Sequence, residues 1–353
     1  MSPDTTTEPV DGADVVVLDG GLATELEQRG HDLSDDLWSA RLLRDDPDEV
    51  RATHLAFFRA GARVATTASY QASVAGFVAH GVPADEAAAL IRSSVTLARE
   101  AALTAEHEDG LRREVAASVG PYGAVLADGS EYTGDYGVSD RALRDFHAPR
   151  LELLVEAGAD LLAVETVPSE QEATVLLGLL AELPAGTRAW LSLTCADGRT
   201  TRRGEDAASV FRLAADVDVL VGVGVNCTSP EHVEELVAAA AAGSGRPGVA
   251  YPNSGEAWDG QARRWEGGPA GAAVDPAAAR RWVALGARYV GGCCRVGSGD
   301  IAALSQGLGG LGGGGGLVAD DRRAGAGRPT GRRWPRRGEE SADTNTAFSR
   351  TRG

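Results

Sequence analysis

The chain has 353 residues, is 43% hydrophobic and carries a formal net charge of −17 at pH 7. That length and apolar content are enough for a sizeable core in one or two domains. The acidic balance argues against nucleic acid as a partner, because phosphate backbones recruit clustered Lys and Arg, and this sequence contains no lysine. No apolar run reaches the roughly 18–20 residues that cross a bilayer, and the polar, acidic start lacks the basic and apolar regions of a secretion signal. A cytoplasmic protein without a membrane partner is therefore expected. In a reducing compartment its four cysteines are expected to be metal ligands, reactive thiols or core residues rather than disulfides.

One rhythm repeats along the chain. A short β-branched run ends in Gly, polar or Cys residues, and an Ala/Leu/Glu-rich helical stretch follows. The runs expected as strands are 15–21, 63–71, 113–123, 160–168, 188–195, 217–227, 246–255 and 288–294. The main helical stretches are 47–62, 84–108, 139–159, 169–183, 204–216, 229–243, 275–287 and 298–306. Near-continuous apolar strands alternating with helices indicate parallel pairing with both sheet faces covered. "AGA" or "LGA" before the second, fourth and eighth strands fits helix ends at which Gly turns left-handed. Ser169, Ser229-Pro230, Asp275-Pro276 and Ser298 fit helix starts. Eight such units indicate an α/β fold, a single (β/α)8 TIM-type barrel rather than a doubly wound sheet, and the first strand carries no Gly-x-Gly-x-x-Gly turn. The expected organisation is a flexible N-terminus over 1–13, the barrel domain over 14–306, and a Gly/Arg-rich tail over 307–353. Residues 320–353 carry nine Arg against five Asp and Glu, a composition that cannot build a core.

Barrels of this kind carry their chemistry at the C-terminal ends of the strands. In order, those ends read Asp19-Gly20-Gly21, Thr67 to Gln71, Gly120-Pro121-Tyr122, Glu165-Thr166, Cys195, Asn226-Cys227, Tyr251-Pro252-Asn253-Ser254 and Cys293-Cys294. Every cysteine of the chain is in this ring. Closing the barrel would bring Cys227, after strand six, to the adjacent pair Cys293-Cys294, after strand eight. Three thiolates around one point suit Zn²⁺, which prefers tetrahedral sulfur and nitrogen ligands and keeps an open position when only three come from the protein. Cys195 is the candidate fourth ligand of a closed structural site; a core or near-site cysteine is the favoured reading. A zinc ion on three thiolates makes hydroxide poorly but can hold an incoming thiol as thiolate, the nucleophile of an alkyl transfer.

At these residues the sequence resembles the homocysteine S-methyltransferases, the zinc-dependent thiol methyltransferases, and is most similar to the bacterial S-methylmethionine-type branch. The resemblance covers roughly residues 14–306 and rests on "LDGGLATELEQRG", "DDLWSARLL", "TASYQAS", "ASVGPYGAVLADGSEYTGDY", "ADLLAVETVP", "GVNC", "YPNSGEAWD" and "GGCCR". It implies Zn²⁺ on Cys227, Cys293 and Cys294, and homocysteine amino and carboxylate groups held near Asp19, Gly20, Thr67 and Glu165. Asn253, in the seventh strand-end segment, is read as a further substrate contact. Burying the Glu165 carboxylate after an apolar strand requires a partner, whereas Asp19 could also be a simple turn residue. The long loop 123–137 is read as a lid over the methyl donor, with Trp38, Tyr132 and Tyr136 able to face a sulfonium. The implied reaction moves a methyl group from S-methylmethionine, or second from S-adenosylmethionine, to homocysteine. The alternatives are a sister enzyme using selenocysteine or betaine, or a barrel with a purely structural zinc site. Val296-Gly297-Ser298 departs from the Thr-Thr-Pro-like turn of the family, and the tail has no counterpart in it. Oligomeric state is not encoded in any of these motifs.

Overall fold

The computed structural model describes residues 15–33, 39–126, 129–255, 257–259, 264–266 and 274–309. The expected N-terminal segment, nearly all of the tail, and Trp38 lie outside the described residues. Eight parallel strands form the barrel: Val16–Val17, Val64–Thr66, Glu114–Val119, Leu161–Val167, Ala189–Leu193, Leu220–Asn226, Gly248–Tyr251 and Ala287–Val290. From the second strand on, each pairs in parallel with the next, and the eighth pairs with the first. A bridge between Leu18 and Val64 closes the ring between strands one and two. The (β/α)8 expectation is borne out.

The strands of the third to fifth units are buried along their whole length, which is why they read as continuous apolar runs rather than alternating ones. The barrel interior is a packed core. Leu18, Val64, Ala116, Leu161, Ala163, Trp190, Val249 and Tyr251 form one cluster. Trp190 is its largest member, with Tyr251 and Tyr289 at ring-centroid distances of 6.1 and 5.9 Å.

Helix starts and stops follow local chemistry. Ser169 accepts from the Glu172 N–H, and Asp275 from those of Ala277 and Ala278, ahead of helices Glu170–Ala181 and Pro276–Ala284. Two expected starts differ. Ser229 precedes a 3-10 turn, Pro230–His232, without capping it. Ser298 is the first helical residue, and Asp300 reaches back to the Gly297 N–H at 3.0 Å. Gly61, Gly158 and Gly286, the glycines of the "AGA" and "LGA" motifs, have φ of 106°, 79° and 109°, the left-handed conformation expected of them. A short antiparallel pair, Ala257–Asp259 with Arg264–Glu266, follows strand seven.

One buried helix residue has no use in the site. His54, inside helix Pro47–Arg59, is fully buried, and neither ring nitrogen has a hydrogen-bond partner. Burial pushes its pKa down to about 4. Between about pH 6.5 and 4 the unfolded chain takes up a proton that the folded chain refuses, so stability falls as pH falls through that window. The loss reaches about 3 kcal/mol. His54→Leu is expected to remove that part of the slope in urea-unfolding free energies measured from pH 7 to 4. An unchanged slope would contradict the assignment.

Candidate metal centre and active site

Strand eight ends against strand one, and glycines make the approach possible. Gly292 N–H donates to the Asp19 carbonyl at 3.0 Å, and Gly21 N–H to that of Val296 at 2.9 Å. A Cβ on Gly20 would stand 2.4 Å from the Val296 carbonyl oxygen, and one on Gly21 2.6 Å from that of Cys293. A Cβ on Gly291 would meet the Leu18 Cβ at 2.6 Å, and one on Gly292 the Val296 side chain at 2.2 Å. The loop Gly291–Val296 therefore has only this path, and the buried Val296 plugs it from behind.

That path brings three sulfurs together. Cys227 Sγ lies 3.6 Å from Cys294 Sγ, and Cys293 Sγ lies 4.0 Å from Cys294 Sγ. All three lie within 4.8 Å of one another. They are free thiols, far longer than the ~2.05 Å of a disulfide. Four sulfurs at the zinc–sulfur distance of ~2.3 Å would sit about 3.8 Å apart on a tetrahedron, so the donor set fits a zinc-sized soft ion. Among the described residues it is the one group of three or more His, Cys, Asp or Glu side chains close enough to share an ion. The three thiols hydrogen-bond among themselves, which pulls the Cys227 pKa well down and pushes those of Cys293 and Cys294 up. Cys195 stands outside the group, and burial pushes its thiol up to about 12.

Backbone strain is confined to this face. Among the described residues, Thr166, Cys227 and Arg295 are the non-glycine residues with left-handed φ, at 59°, 48° and 68°. Each such residue costs roughly 1–3 kcal/mol and persists only when its surroundings hold it. Asn226 holds two elements at once: its Oδ1 accepts from the Thr166 N–H and its Nδ2 donates to Thr166 Oγ1, both at 2.7 Å. Its Nδ2 also points at Cys293 Sγ, 3.9 Å away.

The sulfurs form one wall of a cavity whose empty space, counted out into its open mouth, is about 790 Å³. Gly20, Thr67, Tyr132 and Glu165, all expected site residues, line it with Ser118 and Tyr251. Glu165 accepts from Ser118 Oγ, and from the Tyr251 hydroxyl at 3.0 Å. Its expected partners are thus neutral hydroxyls, and burial pushes its pKa up to about 7. Thr67 Oγ1 accepts from the Ser118 N–H at 3.1 Å and pairs with Ser69 Oγ at 2.6 Å. Tyr132 places its hydroxyl 3.8 Å from Cys227 Sγ, with Arg202 over its ring at 5.6 Å.

Three expected site residues face elsewhere. The buried Asp19 carboxylate accepts from Thr66 N–H at 2.7 Å and Thr66 Oγ1 at 3.1 Å, so it staples strand one to strand two at the closing seam. Asn253 Oδ1 accepts from the Gly255 N–H at 3.0 Å, closing its own turn. The Tyr136 hydroxyl donates to Glu172 at 3.0 Å, and its ring packs on Tyr122 at 5.5 Å. None of the three lines the cavity. The sequence reading passed over Ser118 and Thr66, because a Ser or Thr within an apolar strand carries no signal of its own; their facing strand partners identify them.

A (β/α)8 barrel with three cysteine sulfurs on one cavity wall defines a class of thiol-handling barrel enzymes. The sequence matches the family described as Homocysteine S-methyltransferase over residues 16–308, and the chain belongs to that family. It is 45% identical over 297 residues to the homocysteine S-methyltransferase of Escherichia coli, covering 84% of this chain and 96% of that protein. It is 42% identical over 287 residues to the homocysteine S-methyltransferase YbgG of Bacillus subtilis, covering 80% and 90%. The solved metallated form of the homocysteine methyltransferase MmuM from Escherichia coli matches with a TM-score of 0.74 and 43% identity over 83% of this chain and 96% of that one.

An open three-sulfur centre makes a specific demand on Cys195. Cys195→Ser is expected to fold and to keep one metal equivalent per chain, measured by elemental analysis and circular dichroism. Loss of the metal or of the fold would make Cys195 a structural ligand.

Proposed function

We propose that the chain transfers a methyl group from a methylsulfonium donor, S-methylmethionine first and S-adenosylmethionine second, to the thiol of homocysteine, giving methionine. The observation that carries this reading is the wall of three sulfurs spaced for one ion in a cavity that also holds a buried carboxylate. Zinc held by Cys227, Cys293 and Cys294 would supply one open position where the acceptor's sulfur is bound as thiolate near neutral pH.

The chain's own residues do the rest. Glu165, at the cavity wall with Thr67 and Gly20, is the proposed site of the acceptor's ammonium group. A cationic partner there would restore the carboxylate that burial disfavours. Thr67 and the backbone beside Gly20 are proposed to take the acceptor's carboxylate. The thiolate attacks the donor's methyl carbon in line as the donor's own carbon–sulfur bond breaks. The leaving group is a neutral thioether, so no side chain has to supply a proton, which agrees with an active face built without histidine. Tyr132 is the proposed donor contact: it lines the cavity with its hydroxyl beside Cys227, and Arg202 lies over its ring. The enzyme's task is then thiol activation and alignment of the two reactants.

The wild-type chain is expected to hold about one zinc and to form methionine from homocysteine with a sulfonium donor. Cys294→Ala is expected to lose both the metal and methionine formation, the latter by at least about 100-fold. A donor panel of S-methylmethionine, S-adenosylmethionine and betaine, with methionine quantified, separates the readings. Full activity of Cys294→Ala without metal would sink the proposal, and turnover with betaine alone would replace the donor.

A further inference from the structure

Beneath the cavity mouth lies a second cluster of buried ionisable groups, outside the metal centre. Glu172, in the first turn of helix Glu170–Ala181, is fully buried. Three donors converge on its carboxylate. The Tyr122 N–H reaches Oε1 at 2.6 Å, His147 Nε2 reaches Oε1 at 2.8 Å, and the Tyr136 hydroxyl reaches Oε2 at 3.0 Å. Burial pushes the His147 pKa down and the Tyr136 pKa up, so the first is a neutral imidazole and the second keeps its proton. With its hydrogen on Nε2, the imidazole donates to Glu172 Oε1.

These donors come from separate parts of the rim. Tyr122 opens the short helix Tyr122–Leu126 after strand three, His147 lies in helix Asp140–Glu156, and Tyr136 follows the 3-10 turn Ser130–Tyr132. That turn carries Tyr132, and it lies on Gly123. A Cβ there would meet Glu131 N at 2.5 Å and the Tyr136 ring at 2.7 Å. Arg150, also fully buried, donates to the carbonyls of Ser69, Tyr70 and Gly120 at 2.9–3.0 Å and stacks on Phe146 at 5.3 Å. It ties the rim after strand two to the rim after strand three.

We infer that Glu172 is a positioning residue: its carboxylate anchors the segment 129–136 to the barrel and so sets where the Tyr132 hydroxyl stands beside Cys227. The role in methyl transfer rests on the function proposed above; the anchoring itself does not. Glu172→Ala removes all three contacts, whereas the isosteric amide keeps one acceptor oxygen for Tyr122 and His147 and turns an NH₂ toward the Tyr136 hydroxyl, which can accept from it. Removing the Tyr136 hydroxyl deletes one tether and leaves the buried pair with His147 intact.

Two measurements on the full zinc-loaded chain test this. The first is amide hydrogen exchange over residues 129–138. Glu172→Ala should speed it about tenfold and Tyr136→Phe about threefold, with Glu172→Gln near the wild-type rate and the barrel strands unchanged. If Glu172→Ala does not fold, Tyr136→Phe decides alone. Unchanged exchange over 129–138 in these two variants would overturn the anchoring. The second is a double-mutant cycle on kcat/KM for the sulfonium donor. The loss caused by Tyr136→Phe should shrink to less than about twofold in a Tyr132→Phe background. A loss that persists there undiminished would overturn the action through Tyr132. A wild-type chain that transfers no methyl group, yet shows the exchange response, would refute the function proposed above and uphold the anchor.

Discussion

Like charges at close range govern the architecture of this active face. Two thiolates about 4 Å apart repel by roughly 4 kcal/mol at an effective dielectric of 20, and the fold crowds three sulfurs within 4.8 Å. Alone, the cluster shares its protons: Cys227 ionises first, and Cys293 and Cys294 hold theirs more tightly. A soft divalent cation removes the conflict, because it allows all three to ionise together. The close packing of strand one against the end of strand eight serves this crowding, for without glycine at positions 20, 21, 291 and 292 the backbones could not approach as they do.

Two buried carboxyl groups near the metal centre are used differently. Asp19 and Glu165 are both buried, and burial pushes both carboxyl groups upward. Asp19 is absorbed by Thr66 at the barrel seam, whereas Glu165 faces the cavity with hydroxyl partners that a cation can supplement. Glu172 and Arg150 lie one layer back, where they hold the rim rather than line the cavity. Strain follows the same division: Thr166 and Cys227, both left-handed, line the cavity, and Asn226 fixes Thr166 through both polar atoms of its side chain.

Legibility in the sequence followed range. All eight strands and the eight main helices were readable, because each is written in a local period and closed by Gly, Ser or Pro. The helices Leu22–Gln28, Ser39–Asp45 and Val74–Ala79 were not read; each has only six or seven residues, too few for a stable period. The cysteine cluster was legible because strand-end position converts sequence distance into proximity. Side-chain direction was not. Asp19, Asn253 and Tyr136 sit at the expected places in the chain, yet each is drawn away by a hydrogen bond to Thr66, Gly255 or Glu172. Such choices depend on partners supplied by other strands and loops, and no local pattern records them.

The central claim is that three cysteine sulfurs hold one zinc and leave its fourth position to the acceptor. Zinc K-edge X-ray absorption on the purified chain tests it directly. The account predicts three sulfurs at ~2.3 Å and one lighter oxygen or nitrogen ligand, changing to four sulfurs when homocysteine is added. Four sulfurs before any thiol is added, or a first shell unaffected by homocysteine, would contradict it.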